Sequence, residues 1–513
     1  MRTIMVTGDP LTVAEVVAVA RGSARATLEP AAAARMEASH RLIADAVTRG
    51  EVVYGVNTGF GALADTSVGP DDLTRMQLAL LRSHAAGVGD PLPDEVVRAL
   101  LLLRARTLAA GLSGVREDLP RRLLEQLDRG LLPVVPEKGS VGASGDLAQL
   151  AHLGLPLIGE GRLRRQGDPD RWGRPASELL TEEAMEPLAL GPKEGLALLN
   201  GTEPMQVLLA FSVADAAMLV TAADLACALS VEALLGTDRP YDERVQVLRP
   251  HPGQLEAAAN LRALLAGSPL LASHRHSRHA VQDSYCLRCA PQVHGAVRDV
   301  LAHVRRVVDT ELGAVVDNPV VMPDGEVMTT GNFHGEPLAL AADMLAIALA
   351  ELASISERRV DRMLDPAFSR GLPPFLARRP GTNSGFMLAQ YTAASLVSEN
   401  KVLTHPASVD TIPTSGNQED HVSMGWTAAR KLRSVVGHVR SVLSVEVLCA
   451  TQGIDFRADV ARPAPALVAV HDRVRASVPA MDVDREMAGQ IAAVDRILPE
   501  IVELATTFTG GHE

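Results

Sequence analysis

Two long apolar stretches dominate the second half of the chain. Residues 204–236 and 337–366 contain no glycine or proline between their first and last positions. Proline at the start of the first stretch and glycine at its end are typical of helix termini. Residues 97–110, 295–313 and 386–405 predict three further helices. A helix of about 30 residues spans about 45 Å, and apolar side chains around much of its circumference predict burial on several sides.

The first half of the chain has a different pattern, in which short helical runs alternate with glycine-rich turns. Residues 162–193 are polar and rich in proline and glycine, which is typical of a surface excursion. We therefore expect a mostly α fold with a smaller N-terminal head region over residues 1–200. A long helical bundle with C-terminal helices is expected over residues 201–513, and we expect other subunits to complete it.

The composition excludes several classes of protein. The 513 residues include 62 acidic and 49 basic side chains, for a formal net charge of −13. This balance argues against nucleic acid or an anionic membrane surface as the main partner. The N-terminus lacks the apolar segment of a secretory signal, and no stretch approaches about 18 uninterrupted apolar residues. Because the four cysteines do not form a disulfide framework, we expect a soluble, cytoplasmic protein.

Common signatures of cofactor, metal and nucleophile sites are missing from the sequence, among them GxGxxG, HExxH and GxSxG. The CxxC at 286–289 has no second pair, so coincidence within a helix explains it better than a zinc or redox site. The run HRHSRH at 274–279 has no interleaved carboxylate, which favours a basic loop over a metal site. We therefore predict no bound metal.

The tripeptide Ala143-Ser144-Gly145 offers unusual chemistry. Alone it is an ordinary turn, but small residues on both sides permit a tight, strained backbone. In such a bend the Gly145 nitrogen can attack the Ala143 carbonyl carbon, and loss of water closes a five-membered ring. Loss of the Ser144 hydroxyl then leaves an exocyclic methylidene. The product is an electrophile that needs no external cofactor.

This segment is one of several motifs that resemble the aromatic amino acid ammonia-lyases, whose prosthetic group is 4-methylidene-imidazole-5-one (MIO). The others are YGVNTGFG at 54–61, SHAAG at 83–87, LNGT at 199–202, QDSYCLRC at 282–289, GNFHGE at 331–336 and NQEDHVSM at 417–424. The resemblance runs from about residue 11 to about residue 455 as one continuous family domain. It implies a helical architecture of the aspartase/fumarase type, and a homotetramer whose active sites are shared between subunits.

The resemblance also implies which residues handle protons. Tyr54 is expected to remove the β-proton of the substrate, with Tyr285 on the other side of the site. Glu336 is expected to hold a second proton, although a buried structural carboxylate explains it equally well. Without the motifs around them, the two tyrosines would be interpreted as core residues with satisfied hydroxyls.

Another set of residues is expected to bind the amino-acid substrate. Arg288 is the natural partner of its carboxylate, because a planar guanidinium binds both oxygens, though a structural ion pair is the alternative. Asn200 is expected to hydrogen-bond to the carboxylate or to the prosthetic ring. Gln282 and Phe333 are expected to line the site.

Two positions favour the branch of the family that converts L-histidine to trans-urocanate and ammonia. Glu419 stands where the phenylalanine and tyrosine branches generally carry an uncharged polar residue, and its carboxylate can accept an imidazole N–H. His84 also distinguishes these branches, although it fits a tyrosine hydroxyl as well. Met387 is expected to pack on the same ring. Glu203 departs from the glutamine usual in the family and adds charge near the site.

Three alternatives remain open on the sequence alone. The first keeps the mechanism but changes the outcome: a tyrosine or phenylalanine ammonia-lyase, or an aminomutase that returns the ammonia. The second is a serine hydrolase that uses Ser144, for which no triad order is recognisable. The third is a non-catalytic helical assembly protein, in which the tripeptide would be incidental.

Overall fold

Helices dominate the computed structural model, which describes residues 1–277 and 280–510, so the expected mostly α fold is confirmed. The helices are α1 (Val13–Ala20), α2 (Pro30–Thr48), α3 (Leu73–His84), α4 (Asp94–Ala109), α5 (Asp118–Arg129), α6 (Leu147–Gly154), α7 (Ala176–Glu182), α8 (Glu194–Leu199), α9 (Glu203–Ala233), α10 (Glu243–Gln246), α11 (Pro252–Leu264), α12 (Pro269–Ser273), α13 (Tyr285–Arg288), α14 (Ala290–Glu311), α15 (Glu336–Leu364), α16 (Met387–Leu403), α17 (Gly425–Asp455), α18 (Pro465–Ser477) and α19 (Ala488–Thr509). The five apolar runs predicted to be helical correspond to α4, α9, α14, α15 and α16, with ends that differ by a few residues.

The chain divides into two compact units. Unit 1 comprises residues 1–214, 305–343 and 406–430, and unit 2 comprises residues 215–304, 344–405 and 431–513. Arg278 and His279, which belong to the predicted basic loop, lie outside the described residues.

Unit 1 combines short helices with small sheets. Its strands are β1 (Arg2–Val6), β2 (Ala24–Leu28), β3 (Val88–Pro91), β4 (Leu131–Pro133), β5 (Pro136–Lys138), β6 (Arg162–Arg165), β7 (Arg174–Pro175), β8 (Val320–Val321) and β9 (Val327–Met328). β1 and β2 pair in parallel with Ile4 opposite Ala26, whereas β3–β5, β4–β6, β6–β7 and β8–β9 are antiparallel. Helix α4 is buried from Val96 to Ala109 and forms the core of this unit.

Unit 1 also contains two segments that the sequence pattern placed in the second region. Residues 305–343 and 406–430 carry the GNFHGE and NQEDHVSM motifs, and the second is hydrogen-bonded to the Ala-Ser-Gly loop. The Met424 N–H donates to the Val141 carbonyl (2.9 Å), and the Ser423 hydroxyl donates to the Gly142 carbonyl (3.2 Å). A single boundary at residue 200 therefore does not describe how motifs gather around the loop.

Residues 162–193, expected as a surface excursion, contribute instead to a small core. They form β6, β7 and α7, and their apolar side chains pack on Leu131; the buried members are Leu163, Ala176, Leu179, Leu180 and Met185. The spacing of Ala176, Leu179 and Leu180 fits one face of α7, and Met185 follows the end of that helix. The surrounding proline, glycine and charged residues hide this periodicity in the sequence.

Unit 2 buries several charged side chains within its long helices. Asp224 of α9 accepts a hydrogen bond from His294 Nδ1 (2.7 Å), and Glu446 of α17 forms an ion pair with Arg359 of α15. Ser230 of α9 also donates to Glu446 (2.7 Å). By length and composition α9, α15 and α17 could each cross a membrane, but 72%, 56% and 72% of their most apolar windows are buried within the protein. Protein packing therefore covers most of this apolar surface.

Candidate active site

The Ala-Ser-Gly loop is bent tightly between two glycines with left-handed backbone. Gly142 has φ 70° and Gly145 has φ 74°. A Cβ added to Gly145 would overlap the Gly201 carbonyl, and one added to Gly142 would overlap the Ser423 hydroxyl. Ala143 is buried against Val422 and Met424. Backbone atoms block any side chain at position 145, which agrees with the close backbone approach that the predicted cyclisation requires.

Asp146 anchors the end of this loop, and sequence reasoning missed it. Its N–H donates to the Gly201 carbonyl (2.8 Å), and its carboxyl group accepts from Ser140 Oγ (2.6 Å) and from the Met205 N–H (3.0 Å). Burial raises the pKa of Asp146 to about 7. Its position directly after the tripeptide was the available signal, but a carboxylate there also fits an ordinary helix cap.

Ser144 lines two cavities, of 510 and 330 Å³, whose lining residues all belong to unit 1. The larger cavity is also lined by four other predicted site residues: Tyr54, His84, Asn200 and Glu419. The smaller cavity is lined by Tyr54, Ala143, Phe333 and Glu419. Motifs separated by more than 250 positions in the chain thus meet around one serine.

Glu419 lies directly beside Ser144. Its Oε1 accepts a hydrogen bond from Ser144 Oγ (3.3 Å), and its Oε2 accepts one from Thr414 Oγ1 (2.6 Å). Thr414 therefore orients the carboxylate, and no motif in the sequence marked it. The arrangement places a negatively charged acceptor on the wall of the cavity.

His84 presents an imidazole in a defined tautomer. Its Nδ1 lies 2.9 Å from the Leu80 carbonyl oxygen, so Nδ1 carries the proton that is donated there. Burial lowers the pKa of His84, against the opposing effects of the Leu80 carbonyl and of Glu419. The ring is therefore neutral near pH 7, with Nε2 available as an acceptor.

Tyr54 is held by the glycine-rich segment that follows it. The Gly61 N–H donates to the Tyr54 hydroxyl oxygen (3.2 Å), and the ring packs edge-on against Phe60 with centroids 6.5 Å apart. The next amide, that of Ala62, donates to Ser415 Oγ (3.2 Å). The hydrogen bond from Gly61 leaves the hydroxyl proton of Tyr54 uncommitted.

Asn200 has one end of its amide engaged. Its Nδ2 donates to the Asn318 carbonyl (3.0 Å), whereas its Oδ1 is buried and finds no hydrogen-bond partner among the described residues. Arg104 Nη1 donates to the Asn200 carbonyl (3.0 Å) and pairs with Glu203. The extra charge of Glu203 is therefore balanced by a buried arginine, and Glu203 does not line either cavity.

Glu336 begins α15, next to the histidines of two motifs. Its N–H donates to His334 Nδ1 (3.3 Å), and His334 Nε2 lies 3.1 Å from the His421 carbonyl oxygen. Potential ligand atoms of these three residues lie within 4.8 Å of one another, so the group could hold a metal ion. Both ring nitrogens of His334 are, however, engaged in hydrogen bonds within the group. Glu336 Oε2 is buried without a partner in the described part of the chain.

The remaining predicted residues belong to unit 2. Arg288 Nη1 donates to Gln282 Oε1 (2.8 Å), and its guanidinium carbon lies 4.7 Å from the centre of the Tyr285 ring. Tyr285 is 71% exposed, and Met387 is the first residue of α16. The QDSYCLRC motif therefore forms one cluster, and the unit 1 motifs form another.

Two buried side chains anchor helix α13, which carries Tyr285 and Arg288. The Tyr241 hydroxyl donates to the Leu287 carbonyl (2.8 Å), and Arg359 Nη1 donates to the Cys286 carbonyl (3.2 Å). These bonds hold a helix of four residues that has little stability of its own. The backbone that carries this cluster is therefore held in place before any substrate binds.

Comparison with known proteins agrees with this geometry. A sequence model described as aromatic amino acid lyase matches residues 11–476. The chain belongs to the aromatic amino acid lyase family. It is 53% identical to a histidine ammonia-lyase of Anaeromyxobacter dehalogenans over 98% of this chain and 99% of that protein. Among solved structures it resembles a histidine ammonia-lyase from Trypanosoma cruzi (TM-score 0.91, 41% identity, 99% of this chain and 96% of that one). It also resembles a tyrosine aminomutase from Streptomyces globisporus (TM-score 0.92, 37% identity, 99% of both chains).

This aromatic amino acid lyase contains a second acid with a raised pKa, the partly buried Glu311 of α14, and Glu311→Gln is expected to change how stability depends on pH. Burial, with Glu203 nearby, raises the pKa of Glu311 to about 7. Between about pH 4.5 and pH 7 the folded lyase therefore binds a proton that the unfolded chain has released, and stability falls as pH rises. Glutamine does not ionise, so the variant should unfold at a higher temperature than the wild type at pH 8.

Thermal unfolding at pH 5 and pH 8 measures this difference. The matched control is Glu37→Gln on α2, where the glutamate is exposed and its one ion pair within the described part of the chain is with Arg41 on the surface. The control should follow the wild type at both pH values. An unchanged pH slope in Glu311→Gln would show that Glu311 is already ionised in the folded lyase at pH 5.

Proposed function

We propose that this lyase removes ammonia from L-histidine and releases trans-urocanate. The observation that carries the proposal is the presence of Glu419 and neutral His84 on the cavity lined by Ser144. An imidazole has both a donor and an acceptor nitrogen, so the Glu419 carboxylate can accept its N–H. A phenyl ring would offer no donor to Oε1, the carboxylate oxygen that Thr414 does not hold, and leaving a charged oxygen desolvated and unpaired costs about 1–3 kcal/mol or more. Relatives about half identical to this chain carry the name histidine ammonia-lyase, which supports the proposal.

The proposal includes an MIO group formed from Ala143, Ser144 and Gly145, without an external cofactor. The fit is supported by the tight bend, by the steric need for glycine at 145, and by the firm anchoring of Asp146 to Gly201. When formed, the group supplies an electrophilic carbon that makes the substrate amine a better leaving group. A cytoplasmic location, expected from the sequence, is part of the same proposal.

Proton transfer is assigned to side chains of the chain itself. Tyr54 takes the β-proton, and the N–H of Gly61 at 3.2 Å supports the oxygen after the proton has left it. Tyr285 acts from the opposite side of the substrate. Glu336, whose Oε2 is buried and unpaired among the described residues, holds a second proton.

The substrate is oriented by both clusters. Arg288, aligned by Gln282, binds the α-carboxylate through its planar fork. Asn200 contributes a hydrogen bond to the carboxylate or to the prosthetic ring. Phe333 and Met387 pack on the faces of the imidazole ring.

We further propose a homotetramer whose active sites combine residues of different subunits. Unit 1 carries the loop and the imidazole-binding pair, whereas the carboxylate-binding cluster belongs to unit 2. Leu340, Met344 and Ile347 are exposed at helical spacing along α15, and Leu388 and Tyr391 are exposed on α16. Contiguous exposed apolar side chains of this kind are typical of subunit interfaces.

Product analysis with L-histidine, L-tyrosine and L-phenylalanine tests the proposed function. Formation of trans-urocanate at a higher kcat/KM than either phenolic or phenyl product is expected. Preferential turnover of L-tyrosine, or release of a β-amino acid, would contradict it and would favour the aminomutase alternative.

The role of Glu419 is tested in the same assay. Glu419→Gln should lower kcat/KM for L-histidine by roughly 10- to 150-fold, because a charge-assisted hydrogen bond contributes about 1.5–3 kcal/mol. Glu419→Ala should lower it further, and His84→Phe should make the pocket more tolerant of a phenyl ring. Glu37→Gln is the control, and thermal unfolding separates recognition from stability. Wild-type kinetics in a stable Glu419→Gln protein would defeat the assignment of imidazole recognition.

A further inference from the structure

One buried ion pair of unit 1 has no role in the proposed reaction. Lys193 Nζ and Asp317 Oδ2 are 2.6 Å apart, and both side chains are fully buried. Removing two charges from water is costly, so such a pair is weak evidence for stability by itself. Neither residue lines a cavity that Ser144 lines. Their placement therefore calls for an explanation other than direct contact with substrate.

A chain of hydrogen bonds links this pair to Asn200. Asp317 Oδ1 accepts the N–H of Asn318 (2.8 Å), and the Asn318 carbonyl accepts from Asn200 Nδ2 (3.0 Å). Thr330 closes the arrangement, because its hydroxyl donates to the Asp317 carbonyl (3.1 Å) and its N–H donates to Asn318 Oδ1 (2.8 Å). Asn318, whose carbonyl holds the Asn200 amide, is therefore itself held by Asp317 and by Thr330.

The backbone of Lys193 supports the same interpretation. Lys193 has φ 67°, a left-handed conformation that costs a residue with a Cβ about 1–3 kcal/mol and persists only when its surroundings enforce it. It directly precedes α8, and α8 ends at Leu199, next to Asn200. The ion pair therefore joins both segments that determine where Asn200 lies.

We infer that Lys193 and Asp317 are positioning residues that fix the direction of the Asn200 amide. With Nδ2 committed to Asn318, the buried Oδ1 is left as the acceptor for a group in the 510 Å³ cavity. An α-amino acid offers its ammonium group as the donor there, since its carboxylate is itself an acceptor. The inference rests on the proposed function, and it assigns to the substrate amine the contact of Asn200 that the sequence led us to expect with the carboxylate or the prosthetic ring.

The double variant Lys193→Met/Asp317→Asn tests this inference, because it removes both charges together and leaves none buried unpaired. KM for L-histidine should rise about 10-fold, which is the effect of one weakened charge-assisted hydrogen bond. The competitive inhibitor 3-(imidazol-4-yl)propionate has the ring and the carboxylate but no ammonium group. Its inhibition constant should therefore change less than about twofold. A purely structural role would weaken both ligands alike.

The matched control is Arg116→Met/Glu194→Gln, which removes a neighbouring pair at the start of α8; the described hydrogen bonds of Asn318 go to other residues. This control variant should leave KM for L-histidine and the inhibition constant of 3-(imidazol-4-yl)propionate near the wild-type values. Equal weakening of both ligands in the Lys193/Asp317 variant, or no change in either, would overturn the inference. If the wild type prefers another aromatic amino acid, the proposed function fails, and the same comparison with that amino acid and its deamino analogue still decides the role of the pair.

Discussion

Ser144→Ala is expected to abolish turnover while leaving the fold intact. Only the serine hydroxyl can be eliminated to give the methylidene carbon, and alanine has no leaving group. The single described hydrogen bond of Ser144 Oγ is the 3.3 Å contact with Glu419, so its loss should hardly affect unfolding. Near-ultraviolet absorbance and activity, measured on the same preparation, should fall together.

Ser144→Cys is the informative companion variant. A thiol can also be eliminated, so this protein should recover part of both the absorbance and the activity. A protein with 3% aromatic residues has little absorbance of its own to mask the signal. Turnover near the wild-type level in Ser144→Ala would remove the basis for a prosthetic group and would return the serine to an ordinary turn.

Mixing two inactive variants should restore activity if active sites are shared between subunits. Tyr54→Phe removes the proposed base, and Arg288→Ala removes the carboxylate ligand. Loss of general base catalysis alone typically costs about 100-fold or more. In randomly mixed tetramers, about a quarter of the sites would take an intact Tyr54 from one chain and an intact Arg288 from another. Sites built within one chain would never contain both.

The measurement is activity after co-expression of the two variants, compared with each variant alone. The control is a mixture of Tyr54→Phe with Ser144→Ala, whose affected residues both line the 510 Å³ cavity of unit 1. That mixture should stay inactive. Each site takes Tyr54 and Ser144 from the same chain, and every chain in the mixture lacks one of the two. Restored activity in the control, or none in the Tyr54/Arg288 mixture, would contradict the proposed sharing.

Local sequence pattern was sufficient to predict five helices of this protein. Residues 204–236 and 337–366 became α9 and α15 because long apolar runs without glycine or proline have no competing local structure. The same reasoning missed the small core around α7, because this helix has only seven residues and buries three apolar side chains among proline, glycine and charged neighbours. Periodicity identifies an element only when it extends over several turns.

The sequence by itself identified the family, and it predicted the Ala-Ser-Gly chemistry and the candidate residues, because each depends on residue type and short spacing along the chain. Tertiary structure alone decided how these groups are set. The pairing of Glu203 with Arg104 and the hydrogen-bonded link between Asp317 and Asn200 depend on contacts between distant segments of the chain. Burial and hydrogen-bond geometry act between atoms that are near in space, and most of these atoms are about a hundred positions apart in the chain or more. No local pattern encodes that proximity.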